Sequence, residues 1–111
     1  MEEVFRSVSQ SVGSLAGVFE FDGETGYFYL YETRAPDGTK IVASIRILRS
    51  VLNLSGMEIA VRWDRQERRV GLFIEGQLWA AFDSVTDKKF GGDYRSNAAP
   101  DISPDVAGGF H

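Results

Sequence analysis

Met57-Glu58-Ile59-Ala60-Val61-Arg62-Trp63 carries the plainest pattern in the chain: Met57, Ile59, Val61 and Trp63 point one way, Glu58, Ala60 and Arg62 the other. Period-two alternation of this kind marks a strand with one face on a core, because successive side chains leave a strand on opposite sides. A charged tip, Asp64 to Arg69, leads into a segment in which Val70, Leu72 and Ile74 face inward. Glu75-Gly76 then makes a tight reversal into Leu78-Trp79-Ala80-Ala81-Phe82. Counting by twos puts Leu78, Ala80 and Phe82 on one face, with Trp79 and Ala81 on the opposite one. The three segments read as an antiparallel meander.

Towards the N-terminus the same rhythm continues. Leu15 to Asp22 sets Phe19 and Phe21 on one face and Val18 and Glu20 on the other. Asp22-Gly23-Glu24-Thr25-Gly26 supplies a turn, and Tyr27-Phe28-Tyr29-Leu30-Tyr31 follows as the next strand. Ala35-Pro36-Asp37-Gly38 is a second turn, in which Pro presets φ and Gly accepts a left-handed position. From Lys40 to Leu48, Ile41, Ala43, Ile45 and Ile47 alternate with Val42, Ser44 and Arg46. Ile41, Ile45, Leu48 and Leu52 also fit helical spacing, so Ile45 to Leu54 has a helical alternative; the β-branched content favours the strand.

The fold expected is mainly β: an antiparallel meander of about six strands curled into a sandwich or half-barrel, with a short helix near Ser50 to Leu54 as an option. Residues 1–14 form a partly ordered N-terminal segment that Val4, Phe5, Val8 and Val12 could anchor, and 15–90 form the β domain. Residues 91–111 hold two prolines and four glycines with almost no periodicity, and read as a tail, either disordered or laid across the sheet. In Tyr27 to Tyr31 every side chain is large and apolar-bodied, although neighbours point to opposite faces. Both faces of that strand are therefore expected to be covered, one by the opposite sheet, the other by a terminal segment or a second subunit.

With 111 residues, 43% hydrophobic and 13% aromatic, the chain can bury one core without staples. It has no cysteine, which removes disulfides, thiolate metal sites and cysteine nucleophiles. Net charge is −4, and the densest basic cluster, Arg62, Arg65, Arg68 and Arg69, is broken by Asp64 and Glu67. Nucleic acid is not an expected partner. Met1-Glu2-Glu3-Val4-Phe5-Arg6 has neither the positive n-region nor the apolar h-region of a signal peptide, and no apolar run is long enough to span a bilayer. A cytoplasmic protein without a membrane partner is expected.

The only histidine is His111, so histidine-based triads and zinc sites are not expected, and no metal or cofactor is assigned. Glu20, Asp22 and Glu24 crowd one turn, but Asp-Gly-Glu-Thr-Gly lacks calcium-loop spacing; they read as turn formers and solvent-facing charges. Asp64 and Asp83, each just past a strand end, read as turn caps. Arg46 and Arg62, read as outward-facing residues of neighbouring strands, are placed to pair with Glu58 or Glu20 across the sheet. The aromatics are the better clue. Tyr27, Tyr29 and Tyr31 share a face and carry polar tips, and Trp79 stands as a possible anchor. These four are the candidate binding residues, and no catalytic residue is assigned.

Val18-Phe19-Glu20 with Asp22-Gly23-Glu24-Thr25-Gly26-Tyr27-Phe28-Tyr29, and later Val61-Arg62-Trp63 and Leu72-Phe73-Ile74-Glu75-Gly76-Gln77…Ala81-Phe82-Asp83, resemble a family of small bacterial proteins of about this length. The resemblance spans about residues 15 to 85. That family is a domain of unknown function, so it implies a bacterial source and no mechanism. The function expected is a non-catalytic protein-interaction module, for instance an antidote or immunity-type protein, acting on a protein partner or on a second copy of itself. The alternatives are a small-ligand binder with an aromatic pocket and an enzyme working through Glu20, Asp22 or Glu24.

Overall fold

A computed structural model describes residues 4–22, 25–36, 40–48, 58–86, 88–91, 102, 106 and 108–110, with the backbone alone at Ile47 and Leu48. Among them are eight strands: β1 (Val4–Ser9), β2 (Leu15–Phe21), β3 (Thr25–Glu32), β4 (Ile41–Leu48), β5 (Ile59–Trp63), β6 (Arg69–Ile74), β7 (Gln77–Asp83) and β8 (Lys89–Phe90). They build two four-stranded antiparallel sheets, ordered β1-β2-β3-β4 and β5-β6-β7-β8. Each sheet is thus a meander. Among the described residues no strand of one sheet is hydrogen-bonded to a strand of the other, so the two pack as a sandwich and not as a closed barrel.

The alternation explains what lies between them. Phe19, Phe28, Leu30 and Ile45 point in from the first sheet to meet Val61, Val70, Leu72 and Phe82 from the second. Phe28 and Phe82 stack across the gap with centroids 5.1 Å apart. At Gly17 the sheets approach closely: a Cβ there would run into Val70 Cγ2 and lie 2.9 Å from Val61 Cγ1, so no larger residue fits without displacing the Val70 and Val61 side chains. The Glu75-Gly76 reversal has both residues at positive φ, 53° and 78°, as a two-residue hairpin turn of type I′ requires.

Four features depart from, or add to, the sequence expectation. β1 occupies a stretch with no hydrophobic alternation; it is an edge strand of which only Val4 is buried, so its side chains carry no pattern. Residues 41–48 form a strand, while the helical option at Ser50 to Leu54 and the side chain of Met57 lie outside the described residues. β4 and β5 belong to different sheets, so Arg46 and Arg62 are not on neighbouring strands. Finally, the β6–β7 pairing slips between Leu72 and Phe73, so that Leu72 faces Ala80 but Phe73 faces Leu78. This bulge corrects the face assignment in β7. Leu78 joins Phe73 and Ala81 on the outer side, and Trp79 packs against the inter-sheet core.

The outer side of the second sheet is covered. Phe73, Leu78 and Ala81 bury against Val106, with Ile102 and Phe110 half-buried alongside. Phe110 meets Phe73 edge to face at 5.3 Å. Val106 lies in a helical turn closed by the Gly109 N–H donating to the Val106 carbonyl at 3.1 Å. Among the described residues, no helix is long and apolar enough to cross a membrane.

Candidate interaction surface

The outer side of the first sheet is built by register. Glu20 pairs with Tyr27 and Tyr27 with Arg46; Val18 pairs with Tyr29 and Tyr29 with Ser44; Ala16 pairs with Tyr31 and Tyr31 with Ile41. Three rows therefore cross the face, each with a tyrosine at its centre. Tyr27 and Tyr29 stack nearly parallel, 5.9 Å apart at 8°. Lys40 Nζ lies 5.9 Å from the centroid of Tyr31. All three tyrosines are half-buried, and Val18 and Ala16 beside them are buried. Around this centre, Phe5, Ile41 and Val42 stand 59%, 53% and 49% exposed. A register slip between Leu30 and Tyr31 puts Ile41, not Val42, opposite Tyr31.

Burial first, then the Glu20 carboxylate, then Tyr27 push the Tyr29 phenol above its ordinary value. Its hydroxyl stays protonated and able to donate at neutral pH. The face thus combines apolar ring bodies with hydrogen-bonding tips. The structure brings Tyr27, Tyr29 and Tyr31 together and places Trp79 in the other sheet, so the four candidate residues do not form one site.

Three of the aspartates have structural partners, while Glu20 is exposed beside Tyr27. Asp22 accepts a bond from the Thr25 N–H at 2.8 Å, while Glu24 lies outside the described residues. Asp64 accepts from the N–H groups of Arg68 and Arg69, at 2.8 and 3.1 Å, and so caps the β5–β6 turn. Asp83 is 1% exposed. It accepts from Arg68 Nε at 3.1 and 3.0 Å, Arg69 Nε at 3.2 Å, and the Val85 and Thr86 N–H groups at 2.9 and 3.1 Å. Burial by itself raises the pKa of this carboxyl. The bonds from Arg68, Thr86, Val85 and Arg69 outweigh that and hold it well below the usual carboxylate range. An acid–base catalyst would need the reverse shift.

A contact without any local sequence signal joins the sheets at one end. Glu67, at φ 56°, accepts from the Ser11 N–H at 2.9 Å, and its carbonyl accepts from Gln10 Nε2 at 2.9 Å. Trp63 Nε1 donates to the Val8 carbonyl at 2.8 Å. A groove of about 530 Å³ runs over this junction, lined by Val8, Ser11, Trp63, Arg65 and Gln66 among others. Arg62, on the outer side of the second sheet, lies 4.2 Å over the Phe73 ring, with Glu58 lining the same small cleft.

Residues 1–103 match the model of a family described as an uncharacterized protein conserved in bacteria (DUF2251). The chain belongs to this family. The match extends past the residues 15 to 85 that carried the resemblance, and it takes in β1 and Ile102. No curated protein and no solved structure matches the chain.

Proposed function

We propose that the protein is a non-catalytic interaction module of the bacterial cytoplasm, with the tyrosine-bearing face of the first sheet as its working surface. One observation carries this reading: the three tyrosines line up on one side of β3, half-buried, with exposed Phe5, Ile41 and Val42 around them. Aromatic side chains with polar tips suit a surface that must be wetted when free and dried when bound. An antidote or immunity-type protein that blocks a protein partner is one form such a module takes.

Photo-crosslinking in the bacterial host tests the proposal. A photoreactive phenylalanine analogue at Tyr29 is expected to give a discrete adduct of higher mass. The same analogue at Val85, 70% exposed at the β7–β8 turn, is expected to give none. Absence of any adduct from Tyr29, or equal adducts from both sites, would overturn it.

A further inference from the structure

We infer that the partner of the tyrosine face is a second copy of this chain, docked about a two-fold axis that runs parallel to β3 along the tyrosine ladder. The inference rests on reading that face as an interaction surface. Two sheets meeting face to face as an isologous pair must be related by an axis lying in the plane between them. An axis along β3 keeps each row level and exchanges the β2 side with the β4 side. Each tyrosine then meets its own copy. Glu20, one strand to one side of Tyr27, falls over the copy of Arg46, one strand to the other side, and the reciprocal pair forms as well.

The remaining positions do not obstruct this pairing. In the row of Tyr31, the half-exposed Ile41 falls over the copy of Ala16, and in the row of Tyr29 the exposed Ser44 falls over the copy of Val18; Ala16 and Val18 are both buried, so neither projects against the residue that faces it. Opposite charges meet in the third row. Of the described C-terminal residues, Ile102, Val106 and Phe110 pack on the other sheet.

The area sets the strength. The strands that lie over their copies are β2, β3 and β4; three strands about 4.8 Å apart, over roughly six residues of about 3.3 Å each, present about 14 by 20 Å. Two such faces bury on the order of 600 Å², below the range of stable specific complexes and in that of weak, transient ones. The dimer is weak and depends on concentration.

Charge reversal on the full chain, read by sedimentation velocity at about 10 μM to about 1 mM, tests the arrangement. The wild type is expected to pass from monomer to dimer across that range. Glu20→Arg and Arg46→Glu set like charges against each other at both symmetry-related positions, and each is expected to weaken the dimer at least about tenfold. The double reversal restores opposite charges and is expected to return within about threefold of wild type. A merely structural role for either residue would not produce that rescue. Should Arg46→Glu fail to fold, Ile41→Asp reads the same interface from the row of Tyr31.

A wild type that stays monomeric throughout, or a dimer indifferent to the single reversals, overturns the inference. The two readings separate at that point. A monomeric wild type whose Tyr29 crosslinks to a different protein leaves the interaction module standing and removes only self-association. A monomer without any crosslink removes both.

Discussion

The two sheets have the same strand order and treat their outer sides in opposite ways. On the second sheet the outer side carries Phe73, Leu78 and Ala81 without polar atoms, and the chain covers it with Val106 and Phe110. On the first, the outer side carries the tyrosines of β3, whose rings pack along the sheet while their hydroxyls can remain in water. An apolar outer side must be roofed within the chain, whereas a tyrosine one can be left for a partner. The charges follow the same division. The second sheet buries Asp83 against two arginines, and the first leaves Glu20 exposed beside its tyrosines.

The strongest way to break that comparison is to remove the ring beneath the roof. Phe73→Ala leaves Phe110 and the Arg62 guanidinium without the ring they contact, and a cavity below them. It is expected to cost about 3–4 kcal/mol, read as a fall in the urea midpoint at unchanged slope. A cost near 1 kcal/mol would mean that the C-terminal residues do not act as a roof, and the two outer sides would then be alike.

Asp83 sharpens the contrast in charge. Asp83→Asn is expected to cost about 2 kcal/mol at neutral pH, less than a fully buried pair because Arg68 is 41% exposed. The pH dependence follows from the depressed pKa. A carboxyl whose folded pKa lies below its unfolded value of about 4 contributes stability that is complete above that value and is lost as pH falls towards the folded pKa. The gap between wild type and Asp83→Asn should be flat above about pH 5 and narrow steadily below about pH 4. A gap that widens on acidification would show that the carboxyl prefers its proton in the fold.

How legible each region was follows from where its pattern came from. β5, β6 and the inward residues of β2 were readable, because each has one side on the core and the other nearer to solvent or cover, so alternation survives. The capping roles of Asp64 and Asp83 were readable for a local reason: an aspartate at a strand end reaches the next N–H groups whatever the tertiary context. β1 was not, because an exposed edge strand imposes no pattern on its side chains. Trp79 was placed on the wrong face because counting by twos cannot register an extra residue in one strand. The roof did leave a trace. Ile102, Val106 and Phe110 stand four residues apart, a helical interval hidden among glycines and prolines. The tyrosine face was legible as a set of three, while its complementarity across β2 and β4 needs a register that sequence does not supply.

The smallest expected effect on stability is also the most discriminating. Tyr27→Ala removes a half-buried ring and its stack on Tyr29, a loss of about 1 kcal/mol, far below that of Phe73→Ala. That value holds for the monomer. If a second copy dries the face, folding is linked to association, and the measured cost must grow with protein concentration as the wild type gains stability that the variant cannot. Thermal unfolding of both proteins at several concentrations reads this directly. A cost of about 1 kcal/mol at every concentration leaves the face open in the isolated protein and speaks for a different partner. A cost of about 3 kcal/mol even at high dilution would mean that the ring is roofed within its own chain after all, and the contrast between the two outer sides would fall from the tyrosine side.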